Sequence, residues 1–404
     1  MKVIFLSTEL TPHQIPFCNS LNNLADTFYF MQFSHQKASW ESKGQTICAA
    51  DFPYLRFYHA QKDFCDAEIM TADVVILGGV DLSVVQKRLQ AGKLVFVYLE
   101  RFYKNGISLK NAFRAVIGTF LHHGRFQKYR PYLLCASGYC AGDAAIFNNY
   151  RGRTLKWGYF PENRIVDPAA LISEKTENSI IWVGRLIDWK HPDDMLLAAK
   201  QLQDQGYRFR LMIYGDGEMR ADLQTMIEQY SLQERVFLCG NVPNEKVRQA
   251  MRESSIFVST SDYGEGWGCV INEAMNDGCA VIASHAVGAV PFLIQDGENG
   301  IIYESGNVDQ LTAACARLLD DPALCRQMGR NAYETIDTKW NAQTAAERLL
   351  HSCQKILGKQ ENPFEETGPC SFAQLIPQNT MYKRVKNEGC NKKCSAGNTS
   401  VSQH

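Results

Sequence analysis

Short apolar runs alternate with stretches whose apolar positions recur every three or four residues, and the alternation holds over most of the chain. Runs of the first kind read as buried strands, stretches of the second kind as amphipathic helices. In the first half the strands fall at Val3–Leu6, Phe28–Phe33, Val74–Leu77, Leu94–Tyr98 and Leu133–Ala136, with helices over Pro16–Leu24, Leu82–Gln90, Leu109–Leu121 and Ala141–Phe147. The pattern breaks around Tyr159–Asn163, and the polar stretch Ser173–Asn178 reads as a linker. A second series follows, with strands at Ile180–Val183, Phe209–Tyr214, Val236–Cys239, Ile256–Thr260, Ala280–Ala283 and Gly300–Tyr303. Its helices are Asp193–Asp204, Met219–Tyr230, Asn244–Arg252, Val308–Leu319 and Ala342–Leu357. Strands alternating with helices build parallel sheets covered on both faces. The expected fold is α/β, two Rossmann-like doubly wound parallel-sheet domains facing across a cleft, where ligands prefer to bind. Residues 1–165 would form the first domain, 166–340 the second and 341–358 a closing helix. Residues 359–404, rich in Asn, Ser, Gly, Lys and Glu, read as a disordered tail.

Composition narrows the classes. The 404 residues are 45% hydrophobic and 21% charged, ordinary for a soluble globular protein, and a formal net charge of -1 gives no field that would gather nucleic acid. No apolar run approaches the ~20 residues of a spanning helix, and Met1–Leu6 reads as a strand rather than an export signal. The fourteen cysteines have no framework spacing and suit reduced thiols in a cytoplasmic protein. Cys390 and Cys394, without a partner pair, make a poor zinc site. One stretch departs from the neutral average. Arg114, His122, His123, Arg125, Lys128 and Arg130 are interleaved with Phe113, Val116, Ile117, Phe120 and Leu121. A basic amphipathic surface touching anionic lipid would look like this, as would a solvated helix face. Peripheral contact at the inner face of a membrane through residues 110–130 is therefore one expectation.

The densest chemistry lies in Glu265-Gly266-Trp267-Gly268-Cys269-Val270-Ile271-Asn272-Glu273, at a strand-to-helix junction. Gly266 and Gly268 remove side chains and tolerate unusual dihedrals, and amides at a helix N-terminus meet an anion or a hydroxyl-rich ligand at close range. Glu265 and Glu273 flank this cradle, and carboxylates suit the vicinal diols of sugars and riboses. Gly184-Arg185 ends the first strand of the second series and Lys190 follows, two cations facing the crevice at the carboxyl end of a parallel strand. They fit a diphosphate leaving group, or are solvated surface cations. Gly215-Asp216-Gly217 lacks the third glycine of a dinucleotide fingerprint and reads as a tight turn lining a nucleotide pocket. Asp296–Gly300 reads as a plain turn and His285 as structural. In the first domain His13 and Gln14 follow the first strand, and Glu100 and Arg101 follow a central one. They are candidate acceptor contacts, against capping or a buried ion pair.

Together, Gly184-Arg185 with Lys190, Gly215-Asp216-Gly217, Glu265–Glu273 and Ala280–Ser284 resemble the donor domain of family 4 (group 1) retaining glycosyltransferases, over roughly residues 179–340. The resemblance implies a GT-B fold and a nucleoside-diphosphate-sugar donor, with a glycan or lipid-linked acceptor in surface polysaccharide synthesis. It further implies that Arg185 and Lys190 bind the diphosphate, that Glu265 contacts the donor sugar near the amides of Gly266–Cys269, and that Glu273 holds the ribose. The family usually has Phe where Trp267 stands, and often a histidine where Glu100-Arg101 stands. No Asp-x-Asp is present, so neither metal nor other cofactor is expected. The alternatives are a sugar-nucleotide epimerase or hydrolase, or a non-catalytic sugar-nucleotide-binding scaffold.

Overall fold

A computed structural model describes residues 1–42, 45–104, 106–107 and 112–376. The first unit contains β1 (Lys2–Ser7), β2 (Thr27–Gln32), β3 (Ser39–Ser42), β4 (Gln45–Cys48), β5 (Leu55–Phe57), β6 (Val74–Gly78), β7 (Leu94–Leu99), β8 (Tyr132–Cys135) and β9 (Thr154–Lys156). Its helices are α1 (Ile15–Leu24), α2 (Lys62–Thr71), α3 (Gln86–Gln90), α4 (Ala112–His122) and α5 (Cys140–Ala145). The strands form a parallel sheet in the order β5-β2-β1-β6-β7-β8-β9, with β3 and β4 set apart as an antiparallel hairpin. Along β1, Val3 and Phe5 face one core layer and Ile4 and Leu6 the other, the period of two that sends alternate side chains to opposite faces.

The second unit repeats the plan. Its strands are β10 (Thr176–Val183), β11 (Arg210–Tyr214), β12 (Val236–Gly240), β13 (Ser254–Ser259), β14 (Ala280–Ser284) and β15 (Gly300–Tyr303), in the parallel order β12-β11-β10-β13-β14-β15. Its helices are α6 (Pro168–Ser173), α7 (Pro192–Asp204), α8 (Arg220–Gln229), α9 (Asn244–Glu253), α10 (Cys269–Asn276), α11 (Val290–Leu293), α12 (Val308–Asp320) and α13 (Pro322–Thr338), and α14 (Ala342–Leu357) follows them. In both sheets the chain grows to one side of the first strand and then returns to its other side. The switch points are β1/β6 and β10/β13, and the loops leaving the carboxyl ends of those strands diverge and leave a crevice.

Four expectations need correction. The stretch Ser173–Asn178 is not a linker: Ser173 closes α6, and Thr176–Asn178 are the exposed start of β10. The α13 helix is absent from the sequence reading although Asp321 caps it by accepting from the Leu324 amide at 2.9 Å and Pro322 opens it. The helix Ala342–Leu357 does not close the second unit; it returns to pack on α1 of the first. The chain beyond it is placed through residue 376, where it lies along the outer edge of β9. There Lys156 donates to the Ser371 carbonyl at 2.7 Å, and Cys370 and Ala373 donate to those of Lys156 and Thr154 at 2.9 and 3.0 Å. An exposed strand edge is thereby covered. Residues 377–404, with Cys390 and Cys394, lie outside the described residues.

One core layer runs without interruption from Phe5 of β1 and Phe17 of α1 to Ile181 and Phe257 of the second sheet and Trp340 between α13 and α14. Trp267 is its keystone at 1% exposure, with Nε1 donating to Asn272 Oδ1 at 2.8 Å and its ring tilted against Phe292 and Trp340. A β-carbon on Gly158, two residues beyond β9, would come within 2.4 Å of that indole. We expect Trp267→Ala to lower the unfolding free energy by about 3–5 kcal/mol, and Trp267→Phe to cost well under half of that. Urea midpoints that leave the alanine variant within experimental error of the wild type would refute this packing role.

Candidate functional site

Because β10 and β13 are neighbouring parallel strands, the loops that follow them meet at one edge of the sheet. Backbone and side chains tie the two together: the Asp262 amide donates to the Trp189 carbonyl at 3.0 Å and Thr260 Oγ1 to the Lys190 carbonyl at 2.6 Å. Trp182 Nε1 in turn donates to Thr260 Oγ1 at 2.8 Å. His191 Nε2 lies 3.4 Å from Asp262 Oδ2, and Lys190 forms an ion pair with Glu265. Burial lowers the His191 pKa, but its bond to Asp262 and the charges of Asp194 and Asp193 outweigh this and leave it raised. Asp262 also accepts from the Gly264 amide at 2.7 Å, which shapes the turn into Glu265.

Arg185 and Lys190 share one partner that the sequence reading passed over. The Arg185 guanidinium lies 5.6 Å and the Lys190 ammonium 4.7 Å from the Trp189 ring centroid. The indole between two cations in the same loop was the available signal. Arg185 and Gly184 line a cavity of about 250 Å³ with Gly215, Asp216, Gly240 and Val247. Gly215 has φ +132°, and a β-carbon there would fall 1.8 Å from the Gly184 carbonyl oxygen, so only glycine lets these loops touch. Glu273 lies one turn into α10, on the side facing α9. Its pKa is raised by burial, while Arg248 and a hydrogen bond from Asn244 oppose the rise.

A second cavity, about 480 Å³, opens between the two units and joins Ser7, His13, Gln14, Glu100 and Lys104 to Glu265, Gly268 and Cys269. Gly268 caps α10 with φ +91°, and Cys269 starts that helix. The Gly266 backbone is closely approached by protein: a β-carbon there would lie 2.0 Å from Glu100 Oε2. Trp267 borders the cleft, but its indole belongs to the core described above rather than to a ligand surface.

On the first unit's wall, Glu100 is held by Tyr159, whose hydroxyl donates at 2.8 Å, and by Lys104 at 2.6 Å. His13 sits edge-on to Tyr159. Gln14 is buried and works within its own loop, accepting from the Thr11 amide at 3.1 Å. Arg101 turns away from the expected acceptor role: its Nε and Nη2 reach the Asp143 carboxylate at 3.1 and 3.0 Å, with both side chains fully buried. His285 donates or accepts with Tyr263 at 3.0 Å and accepts from the Ser305 amide, and burial holds its pKa down. Among the described residues no cluster of three or more His, Cys, Asp or Glu side chains is placed to hold a metal ion.

Comparison with known proteins bears on this geometry. The glycosyl transferases group 1 family model matches residues 163–335. Alpha-D-kanosaminyltransferase of Streptomyces kanamyceticus is 32% identical over 177 residues, 44% of this chain and 45% of that protein. Putative colanic acid biosynthesis glycosyltransferase WcaL of Escherichia coli K12 is 28% identical over 196 residues, 47% of this chain and 48% of that protein. The chain thus spans less than half the length of such relatives. HepE of Anabaena, solved in complex with UDP, shares the fold with a TM-score of 0.65 at 15% identity, over 88% of this chain and 100% of that one. Staphylococcus aureus TarM, solved with fondaparinux, alpha-GlcNAc-glycerol and UDP, does so with a TM-score of 0.56 at 18% identity, over 76% of this chain and 60% of that one. Residues 163–335, which contain the second sheet, are thus similar to the group 1 glycosyl transferases, and the two sheets together have the GT-B fold.

Proposed function

We propose that the protein is a retaining glycosyltransferase that moves a sugar from a nucleoside-diphosphate donor to a hydroxyl of a glycan or lipid-linked oligosaccharide in surface polysaccharide synthesis. The observation that carries this reading is the Lys190–Glu265 pair: Glu265 lines the interdomain cleft, and Lys190 shares the Trp189 ring with Arg185, which lines the glycine-lined cavity. A donor diphosphate beside Gly184 and Arg185 competes with Glu265 for the Lys190 ammonium. The freed carboxylate then accepts hydrogen bonds from sugar hydroxyls in the cleft, and Glu273 accepts those of the ribose. As the glycosidic bond to phosphate breaks, Arg185 and Lys190 balance the growing negative charge, which leaves no task for a divalent metal. The departing phosphate takes the acceptor proton on the same face, with His13 and Glu100 lining the acceptor side. The UDP-bound fold neighbours and the polysaccharide-type relatives support this assignment.

Two outcomes test it, and a third tests the loop that carries Lys190. Glu265→Gln should lower kcat by about 10²-fold or more while the melting temperature stays within a few degrees. Turnover within a few-fold of wild type would remove Glu265 from the reaction. Lys190→Ala should weaken UDP or GDP binding by roughly tenfold or more in calorimetric titration, as loss of a charged hydrogen bond does. Unchanged affinity excludes the diphosphate contact. The third concerns pH. Since the folded-state pKa of His191 is raised, its tie to Asp262 stabilises fully below the ordinary histidine value of about 6.5. That contribution disappears as pH rises through the higher folded value. The melting-temperature gap between wild type and His191→Asn should therefore be widest near pH 5.5 and shrink towards pH 9. A gap independent of pH would count against the ion pair.

A further inference from the structure

We infer that α4 is a docking surface for an anionic lipid bilayer, placed at the rim of the interdomain cleft. Its outward face carries Phe113, Val116, Ile117, Phe120 and Leu121, spaced as one continuous helical stripe, and each is at least 42% exposed, Phe113 reaching 79%. A helix of a soluble domain normally turns such a stripe to the core. Here the opposite face is the anchored one: Thr119 is buried and bonded to the Tyr103 hydroxyl, and His123, just beyond the helix, meets Tyr150 at 2.8 Å. Solvent therefore receives the greasier side of a helix whose seating is already satisfied.

Charge complementarity selects the occupant. From residue 102 to residue 142 the chain holds six lysines and arginines (Lys104, Lys110, Arg114, Arg125, Lys128 and Arg130) and no Asp or Glu, in a protein whose net charge is -1. Arg114, Arg125, Lys128 and Arg130 are exposed on α4 and the turn that follows it. Apolar anchors flanked by cations are the two signals that stable peripheral binding requires, and each basic residue near an anionic surface adds attraction that salt screens. The 11-residue helix is too short to span a bilayer and would lie in the headgroup plane. Tyr103, bonded to Thr119, is next in sequence to Lys104, which lines the cleft. Lipid bound on α4 is thus delivered beside the acceptor wall. Only this last step rests on the transferase reading.

The test is flotation of the full chain with vesicles of phosphatidylglycerol in phosphatidylcholine and with vesicles of phosphatidylcholine alone. The protein should float with the anionic vesicles and be released at high salt. Phe113→Ser with Phe120→Ser, and separately Arg114→Gln with Arg125→Gln, should each lower the bound fraction by roughly tenfold or more. All four side chains are exposed, so neither pair should shift the melting temperature. Failure of the wild type to float, or equal flotation by both double variants, overturns the proposal. So does a dimer in light scattering that the phenylalanine pair dissolves without any vesicle binding, which would assign the stripe to a second copy. No glycosyl transfer enters the readout, so a failed transferase assay and a failed docking surface are distinguishable.

Discussion

Lys190 and Glu265 are 75 residues apart in sequence and in contact in space, and the parallel register of β10 against β13 is what makes them neighbours. A parallel pair delivers both carboxyl ends to the same edge of the sheet, and a switch in strand order there leaves the two following loops with no helix between them. Each side chain is only 13–15% exposed. Either charge alone in that position would carry a desolvation penalty, and removing one partner leaves the other uncompensated. The pair lets an ammonium and a carboxylate wait in the same partly dry place. In the proposed function, an anionic ligand would take the ammonium and leave the carboxylate to hydroxyl donors.

The same economy of space governs how the two sheets meet. Glycines sit where the first unit presses on the second. A β-carbon on Gly138 would strike Pro291, one on Gly288 would strike the Ser137 hydroxyl, and one on Gly266 would strike Glu100. The Gly138 amide donates to the Gly288 carbonyl at 2.7 Å, and the Tyr139 hydroxyl donates to the His285 carbonyl. Close backbone approach thus brings the carboxylate of Glu100 over the loop that begins with Glu265. The two walls of the cleft are assembled by contacts that any side chain at these positions would prevent.

Much of this was legible in the sequence because parallel strands are buried on both faces and stand out as apolar runs. The central strands of both sheets and the glycines of the Glu265 loop were read directly. What escaped was long-range or marginal. The α2 helix has little apolar contrast between its faces, with only Cys65 and Ile69 buried. The edge strand β9 is three residues long. The return of α14 to the first unit and the pairing of residues 370–373 with β9 depend on contacts more than two hundred residues apart in sequence. Arg101 shows the limit at the site. Its position after a central strand suggested a crevice-facing cation, and only the fold reveals Asp143, forty-two residues on, as the partner that draws it into the interior. Trp189 was readable in principle, since an indole between two cations has few other uses in a loop.

The role of Gly266 changes most between sequence and structure, and it redefines what the loop does. Read alone, a glycine at a strand-to-helix junction offers bare amides to a ligand. In the fold, the space it frees is taken by Glu100, and the neighbouring Gly268, at φ +91°, turns the chain into α10. Gly266 therefore serves the meeting of the two domains, while Gly268 and Cys269 present the helix N-terminus to the cleft. A carboxylate from the first unit placed against Gly266 is fixed by Tyr159 and Lys104 rather than by the loop itself. Rearranging the domains would carry Glu100 and Lys104 away from Glu265 while leaving the Lys190–Glu265 pair whole, because both of its residues belong to the second unit. Domain closure thus sets the first unit's side of the cleft, and strand register sets the second unit's side.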